Sequence, residues 1–290
     1  MLYEGKTVMK QNIVLASDST TDLNARLIAR YDLQILPLTV ALGGKSYADG
    51  TEIDPDTIYR HYEQTEELPK TAAPNMADFY SFFEKHTADG SAVIFFTISA
   101  EMSSTCNNAR LAASEFKDVY VVDTRNLSTG GGLLVVTAGE MIKAGKSASE
   151  IAEYCKALTP KVSASFIVDD LEFLYKGGRC SAVAAIGANL LQLKPCITVH
   201  EGKMGVGKKY RGKFAAVLLK YIEDQLGDAS AVELDHIFIT HAGCDEAIYR
   251  ACAEKVKAIA PDANVHITRA GCTISSHCGR NTLGVLFIRK

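Results

Sequence analysis

Two segments carry side chains whose types and spacing can do chemistry without a metal. The first is TISAEMSSTCNNA, Thr97–Ala109, which follows the apolar run AVIFF and places Thr97, Ser99, Ser103, Ser104 and Thr105 close together. Where a strand leads into a helix, such hydroxyls can join the exposed N–H groups of the helix start in holding an anion. The plainer outcome is a helix cap, which occupies one or two of them. No histidine or acid pair stands beside them in sequence to make a nucleophile. The second segment is ISSHCGR, 274–280, in which His277 follows two serines and precedes Gly279. A histidine in such a loop is either a structural donor or one member of a Ser-His-Asp triad. The chain has no Gly-x-Ser-x-Gly elbow to carry the nucleophile of that triad. His241, ending HIFITH, is a second candidate that nothing nearby supports.

Other clusters have plain readings beside functional ones. ASDSTTDLN (16–24) puts Asp18 and Ser19 at a strand tip, with Asp22 placed to cap the next helix. VVDTRNLSTGG does the same with Asp123, Thr124 and Ser128. Asp18 and Asp123 lack a third ligand at useful spacing, so hydrogen bonding is favoured over a metal. GKMGVGKK (202–209) approaches a P-loop, but Lys209 stands where the magnesium-binding hydroxyl belongs and the segment reads as part of a hairpin. Arg179, Lys194, Lys208, Lys209 and Arg211 form either a solvated basic face or the mouth of an anion site.

The elements that must position these residues follow from apolar patterning. IVLASD, ILPLTVAL (35–42), AVIFFTI and DVYVVD read as strands. Helical patterns DLNARLIARYD, DPDTIYRHYEQ, NMADFYSFFEKHT, SSTCNNARLAASEF and TGGGLLVVTAGEMIKAG lie among them. Strand–helix alternation predicts a mainly parallel sheet covered on both faces, with ligands beyond the strand C-termini. After SASEIAEYCKALTPKV the pattern changes. SASFIVDD is a strand leading to a short helix ended by Gly177 and Gly178, and SAVAAIGANLLQL is an apolar helix. PCITVHEGKMGVGKKYR is a hairpin turning at Glu201-Gly202. GKFAAVLLKYIEDQL and CDEAIYRACAEKVKAIA are helices, and HIFITHAG, NVHITRAG and NTLGVLFIRK are strands. The expected organisation is a parallel α/β domain over 1–160, with 1–12 as an extension, and an α+β domain over 161–290.

The chain of 290 residues is 47% hydrophobic with a formal net charge of -3, which disfavours a general nucleic-acid binder. Its eight cysteines form no Cys-x-x-Cys pair and read as reduced thiols in a cytoplasmic protein. The first twelve residues lack the apolar core of a signal peptide, and no run reaches the length of a membrane helix.

SDSTTDL (17–23), YADGTEI (47–53), KTAAP (70–74), TISAEMSSTCNNA, VVDTRNLSTGGG (121–132), LEFLYKGGRCS (171–181), LLQLKPCITVHEGK (190–203) and HCGRNTLGV (277–285) recur in a specific order and spacing. Together they resemble the DegV family, bacterial fatty-acid-binding proteins that serve as acyl-carrying subunits of fatty acid kinase. The likeness runs from Ile13 to Ile288. It implies a parallel α/β domain followed by an α/β domain with a largely antiparallel sheet, and a fatty-acid tunnel at their junction. It implies that Thr71, Ser103 and His277 hold the carboxylate, with Ser99 as a helper. Arg179, Arg211 and Lys194 correspond to the tunnel mouth and partner-docking surface.

The implied partners are a long-chain fatty acid, an ATP-binding kinase subunit and an acyltransferase that accepts acyl phosphate, with transient membrane contact. No cofactor beyond the bound acid is implied. The sequence departs from the family at Ala72-Ala73, at Ala100, Met102 and Ser104, and at Cys278, Arg280 and Asn281, with Ala73 and Arg280 expected to bear on head-group contacts or tunnel width. The competing reading is a serine hydrolase or thioesterase acting through Ser103 and His277.

Overall fold

The computed structural model describes residues 12–180 and 193–290. The expected twelve-residue extension, apart from Asn12, and the apolar helix expected over SAVAAIGANLLQL, apart from Leu193, which opens a strand, therefore lie outside the described residues.

The first half builds the parallel sheet that its patterning predicts. Strands β1 (Ile13–Asp18), β2 (Gln34–Leu36), β6 (Ala92–Thr97) and β7 (Val119–Asp123) lie in the order β2-β1-β6-β7, all parallel. Helices α1 (Ala25–Arg30), α3 (Met76–Thr87), α4 (Thr105–Ala113), α5 (Thr129–Lys143) and α6 (Ala148–Leu158) connect or cover it. Every residue of β6 is buried, as a central strand covered on both faces requires. One face packs on an aromatic cluster of Phe79, Phe83 and Phe95.

ILPLTVAL is not one strand. It breaks at Pro37, which has no N–H to offer a ladder, and its two halves enter different sheets. β2 joins the parallel sheet. β3 (Thr39–Leu42) pairs antiparallel with β4 (Lys45–Ala48) and β5 (Lys70–Ala72) in a small three-stranded sheet, and α2 (Pro55–Thr65) lies between the last two in sequence.

The second half forms a six-stranded sheet in the order β10-β9-β8-β13-β11-β12, from β8 (Val162–Val168), β9 (Leu193–His200), β10 (Lys203–Arg211), β11 (Ile237–Ala242), β12 (Val265–Arg269) and β13 (Thr282–Ile288). It is antiparallel except for β11 and β12, which α9 (Glu246–Ile259) connects in parallel. The last strand sits near the centre of this sheet, between β8 and β11. The β9–β10 hairpin turns at Glu201 and Gly202, both at positive φ, as a tight hairpin turn needs. α8 (Phe214–Leu226) packs on α9 and on this sheet.

Helix α5 joins the two sheets. Its residues from Thr129 to Val136 are buried, as are Ala138 and Gly139, and it contacts β1, β6, β8 and β13. A helix apolar all round belongs inside, and here it sits between two layers. Its glycine-rich start permits the approach: a β-carbon on Gly132 would lie 2.8 Å from Leu23 Cδ2 and 2.9 Å from the Thr21 carbonyl.

Two short helices complete the architecture, α7 (Glu172–Gly177) and α10 (Cys272–Cys278), packed on each other. The sequence reading placed His277 in a loop; the structure places it in the last turn of α10. Local propensity gives no helix signal there, because the start of α10 has no side-chain cap of its own. Its acceptors come from the other half of the molecule. Asp22 Oδ1 accepts the Gly271 N–H at 2.8 Å, while Asp49 accepts the N–H of Cys272 at 2.9 Å and the N–H of Thr273 at 3.2 Å. Asp22 therefore does not cap the helix that follows it. Asn24 caps α1, through the Leu27 N–H.

Candidate functional site

The side chain of His277 points into a cavity of about 430 Å3 between the small three-stranded sheet, the turn after β6, and helices α7 and α10. Each wall arrives by a different route. Thr71 stands in the middle of β5, held opposite Val40 of β3. Its Oγ1 lies 2.8 Å from His277 Nε2, across 206 residues of sequence. Ser103 ends a tight turn in which the Ser103 N–H donates to the Ser99 carbonyl at 3.2 Å. That turn is itself held by Asp18, whose Oδ2 accepts the Ile98 N–H at 2.7 Å. Arg179 follows Gly178 at the C-terminus of α7. Leu38, Ile98, Met102, Leu127, Met204 and Ile274 supply the apolar wall.

The electrostatics of the cavity are those of neutral donors with one cation at the edge. Burial first, and then the Arg179 guanidinium, push His277 down to about 4. Its imidazole is neutral at physiological pH, so each ring nitrogen has one role. Nδ1 is buried without a hydrogen-bond partner among the described residues, which leaves Nε2 and the Thr71 hydroxyl as the edge facing the cavity. The Ser103 hydroxyl lies 2.8 Å from Thr105 Oγ1 and accepts the Thr105 N–H at 3.2 Å. Arg179 is exposed, with one guanidinium nitrogen donating to the Gly177 carbonyl at 2.8 Å.

The expected site residues divide accordingly. Thr71, Ser103, His277 and Arg179 line one cavity, joined by Ser104, Ala72 and Ala73. Ser99 does not line it: its hydroxyl donates 2.7 Å to the Gly202 carbonyl and so fastens the β9–β10 turn to the first half. Arg125 assists there, donating to the Glu201 carbonyl at 2.6 Å. Lys194 pairs with Asp169 at 2.5 Å, and Arg211 ends β10 in an exposed position; neither lines the cavity. Arg280, expected to bear on head-group contacts or tunnel width, pairs with Glu63 at 2.9 Å and lies over the Tyr59 ring. The P-loop-like segment is strand β10, with a register shift between Val206 and Lys209 rather than a helix start. Among the described residues no cluster of three or more metal-ligating side chains occurs, and no helix is long and apolar enough to cross a membrane.

Sequence reasoning picked out Asp18 and Asp22 but missed Asp49 and the long-range partners through which these buried acids hold the site together. Asp49 accepts from Ser19 Oγ at 2.9 Å and from Thr273 Oγ1 at 2.6 Å as well as from α10. Burial pushes Asp18 up to about 6 and Asp22 up to about 8, against the hydrogen bonds that favour their charged forms. The segments TTD and ADG carry turn and cap signals, but nothing local in them points to amides more than 200 residues away.

The family described as "Uncharacterised protein, DegV family" matches residues 12–290. A DegV domain-containing protein of Clostridium acetobutylicum is 31% identical over 284 residues, covering 97% of this chain and all of the relative. A structure described as fatty acid binding of a DegV family protein from Thermus thermophilus superposes with a TM-score of 0.90 at 30% identity, covering 97% of this chain and 100% of that one. DegV of Bacillus subtilis, described as a fatty acid binding protein, superposes with a TM-score of 0.83 at 26% identity, covering 97% and 100%.

Proposed function

The chain belongs to the DegV family, and from that premise we propose that its cavity binds a long-chain fatty acid and presents the carboxylate to a separate ATP-binding kinase subunit. The observation that carries the reading is the cavity itself, apolar along its wall and ended by Thr71, Ser103 and His277. A fatty acid sets two requirements. Its tail needs a dry sleeve, where each buried CH2 contributes about 0.8 kcal/mol, so a tail of about 15 methylenes contributes on the order of 10 kcal/mol before ordering costs. Its carboxylate costs several kcal/mol to bury unpaired. Two hydroxyls and an imidazole N–H offset that cost.

Neutral donors suit a carboxylate that must still react. An arginine clamp inside the cavity would hold it as an ion pair and lower its basicity. Arg179 instead stands exposed at the rim, where a guanidinium is placed to meet the phosphoryl donor or the acidic surface of a partner. Acyl phosphate would then leave with this chain for an acyltransferase. The hydrolase reading has less support. The Ser103 hydroxyl is bonded to Thr105 and the imidazole to Thr71, so among the described residues no base addresses the serine.

The test is mass spectrometry of lipid carried through purification, with wild type beside Ser103→Ala and His277→Ala. Wild type is expected to carry fatty acid and both variants to lose most of it. A full complement of lipid in both variants would overturn the assignment. Isolated chain is expected not to turn over ATP; phosphorylation of the bound acid should require an added kinase subunit.

A further inference from the structure

One position in the six-stranded sheet has no side chain where the sheet faces α5 and α10. Gly284 of β13 stands in register between Thr240 of β11 and Phe166 of β8, on the same face as Thr282 and Leu286. Beside it is a void of about 30 Å3, walled among the described residues by Phe166, Ala242, Leu286, Leu127, Ile274 and Cys278. The last three also line the main cavity, so the two spaces adjoin. Each hydroxyl that borders the void is engaged elsewhere. Thr240 Oγ1 lies 2.6 Å from Thr129 Oγ1 and 2.9 Å from Thr268 Oγ1, Thr282 donates to the Cys278 carbonyl at 2.9 Å, and Ser128 donates to Asp22. His241 alternates to the other face of β11, where its ring stacks on Tyr249 at 4.3 Å. The void offers water no free hydroxyl, and an apolar void stays dry.

Close-packed interiors keep few such gaps, and the atoms that face one forgo their dispersion contacts. A gap of this size has room for about one water-sized group. In a dry wall that adjoins an acyl site, that group is a methyl. We propose that the terminal methyl of the acyl chain seats beside Gly284, so that Phe166 and Ala242 set the upper length of the acid this chain accepts. The inference rests on the fatty-acid reading above and narrows it from a long-chain acid to one matched length. A tail too short leaves the gap open. A tail too long meets β13, which is bonded to a strand on each side and so tightly set that a β-carbon on Gly284 would lie 2.8 Å from the Ser165 carbonyl.

The experiment is displacement of a fluorescent fatty acid from delipidated protein by a series of saturated straight-chain acids. In wild type, affinity is expected to climb about fourfold with each added carbon. It should then break at one length and fall about tenfold within about two more carbons. Ala242→Val fills the gap and should move the break to a shorter acid. Phe166→Leu enlarges the gap and should move the break to a longer one. General damage to the core would weaken every acid alike and leave the break in place. Affinity that climbs without a break to the longest acid in the series would overturn the inference and leave fatty-acid binding intact. So would a break that neither variant moves, or that both move in the same direction. Failure of every acid to bind would overturn the underlying reading and this one with it. If one variant does not fold, the wild-type series and the other variant still decide.

Discussion

A β-carbon on Gly177 would lie 2.7 Å from His277 Nδ1. The last residue of α7 and the imidazole are thus in direct contact, and the first glycine of the Gly-Gly-Arg run is a spacing requirement. The second, Gly178, is a conformational one, at φ +69°. Gly177→Ala should push the imidazole off Thr71 and lower fatty acid affinity on the order of tenfold or more. Displacement of a fluorescent fatty acid measures this. Unchanged affinity in a folded variant would show that the ring has room to yield.

The Thr71 hydroxyl both orients the His277 ring and offers its own proton. Thr71→Val keeps the shape and removes both functions, whereas Thr71→Ser keeps the hydroxyl. Loss of a buried hydrogen-bond partner costs about 1–3 kcal/mol, so the valine variant should bind several-fold to a hundredfold more weakly. The serine variant should stay near wild type. Titration calorimetry with one saturated acid distinguishes them, and equal affinities would remove Thr71 from the head-group site.

Ser103 and Ser99 lie in the same turn but do different work. Ser103→Ala should weaken fatty acid binding by more than the roughly 1 kcal/mol of stability that loss of its bonds to Thr105 costs. Ser99→Ala frees the Gly202 carbonyl from its 2.7 Å bond, and should cost about 1 kcal/mol of stability with little effect on affinity. Paired melting curves and binding isotherms test the contrast. A loss of binding in Ser99→Ala at unchanged stability would return that residue to the head group.

Asp22 gives a pH prediction. Its ordinary value is 3.8 and burial pushes it up to about 8 in the folded protein. A carboxyl with a raised folded value takes up a proton on folding. Its contribution is therefore complete below the unfolded value and is lost as pH rises through the folded one. Asp22→Asn removes that dependence. The stability difference, wild type minus variant, should fall as pH rises from about 4 to 8, by at most about 1.4 kcal/mol per pH unit. Urea unfolding at three pH values checks the slope, and parallel profiles for the two proteins would contradict it.

Much of this was legible in the residues. The runs IVLASD, AVIFF and DVYVVD became β1, β6 and β7 because a strand buried on both faces must be apolar throughout. Glu201-Gly202 announced its hairpin through turn chemistry alone. The parallel topology put the ends of those strands on one edge, near the Ser103 turn. What stayed hidden depended on long-range partners. Pro37 divided a strand whose two halves face different sheets. His277 looked like a loop residue because its helix is capped by Asp22 and Asp49 rather than by its own neighbours. The meeting of Thr71 with His277 came from the family likeness, since no local pattern marks a threonine in a short edge strand.

Helix α10 takes its first acceptors from carboxyl groups 249 and 223 residues upstream. The imidazole therefore owes its place to a clasp between the two halves of the polypeptide. Prising them apart would strand the opening amides of α10 and unwind the turn that carries the ring. Release of cargo by wide separation of the lobes would dismantle the binding site, so exchange must proceed by smaller displacements at the rim.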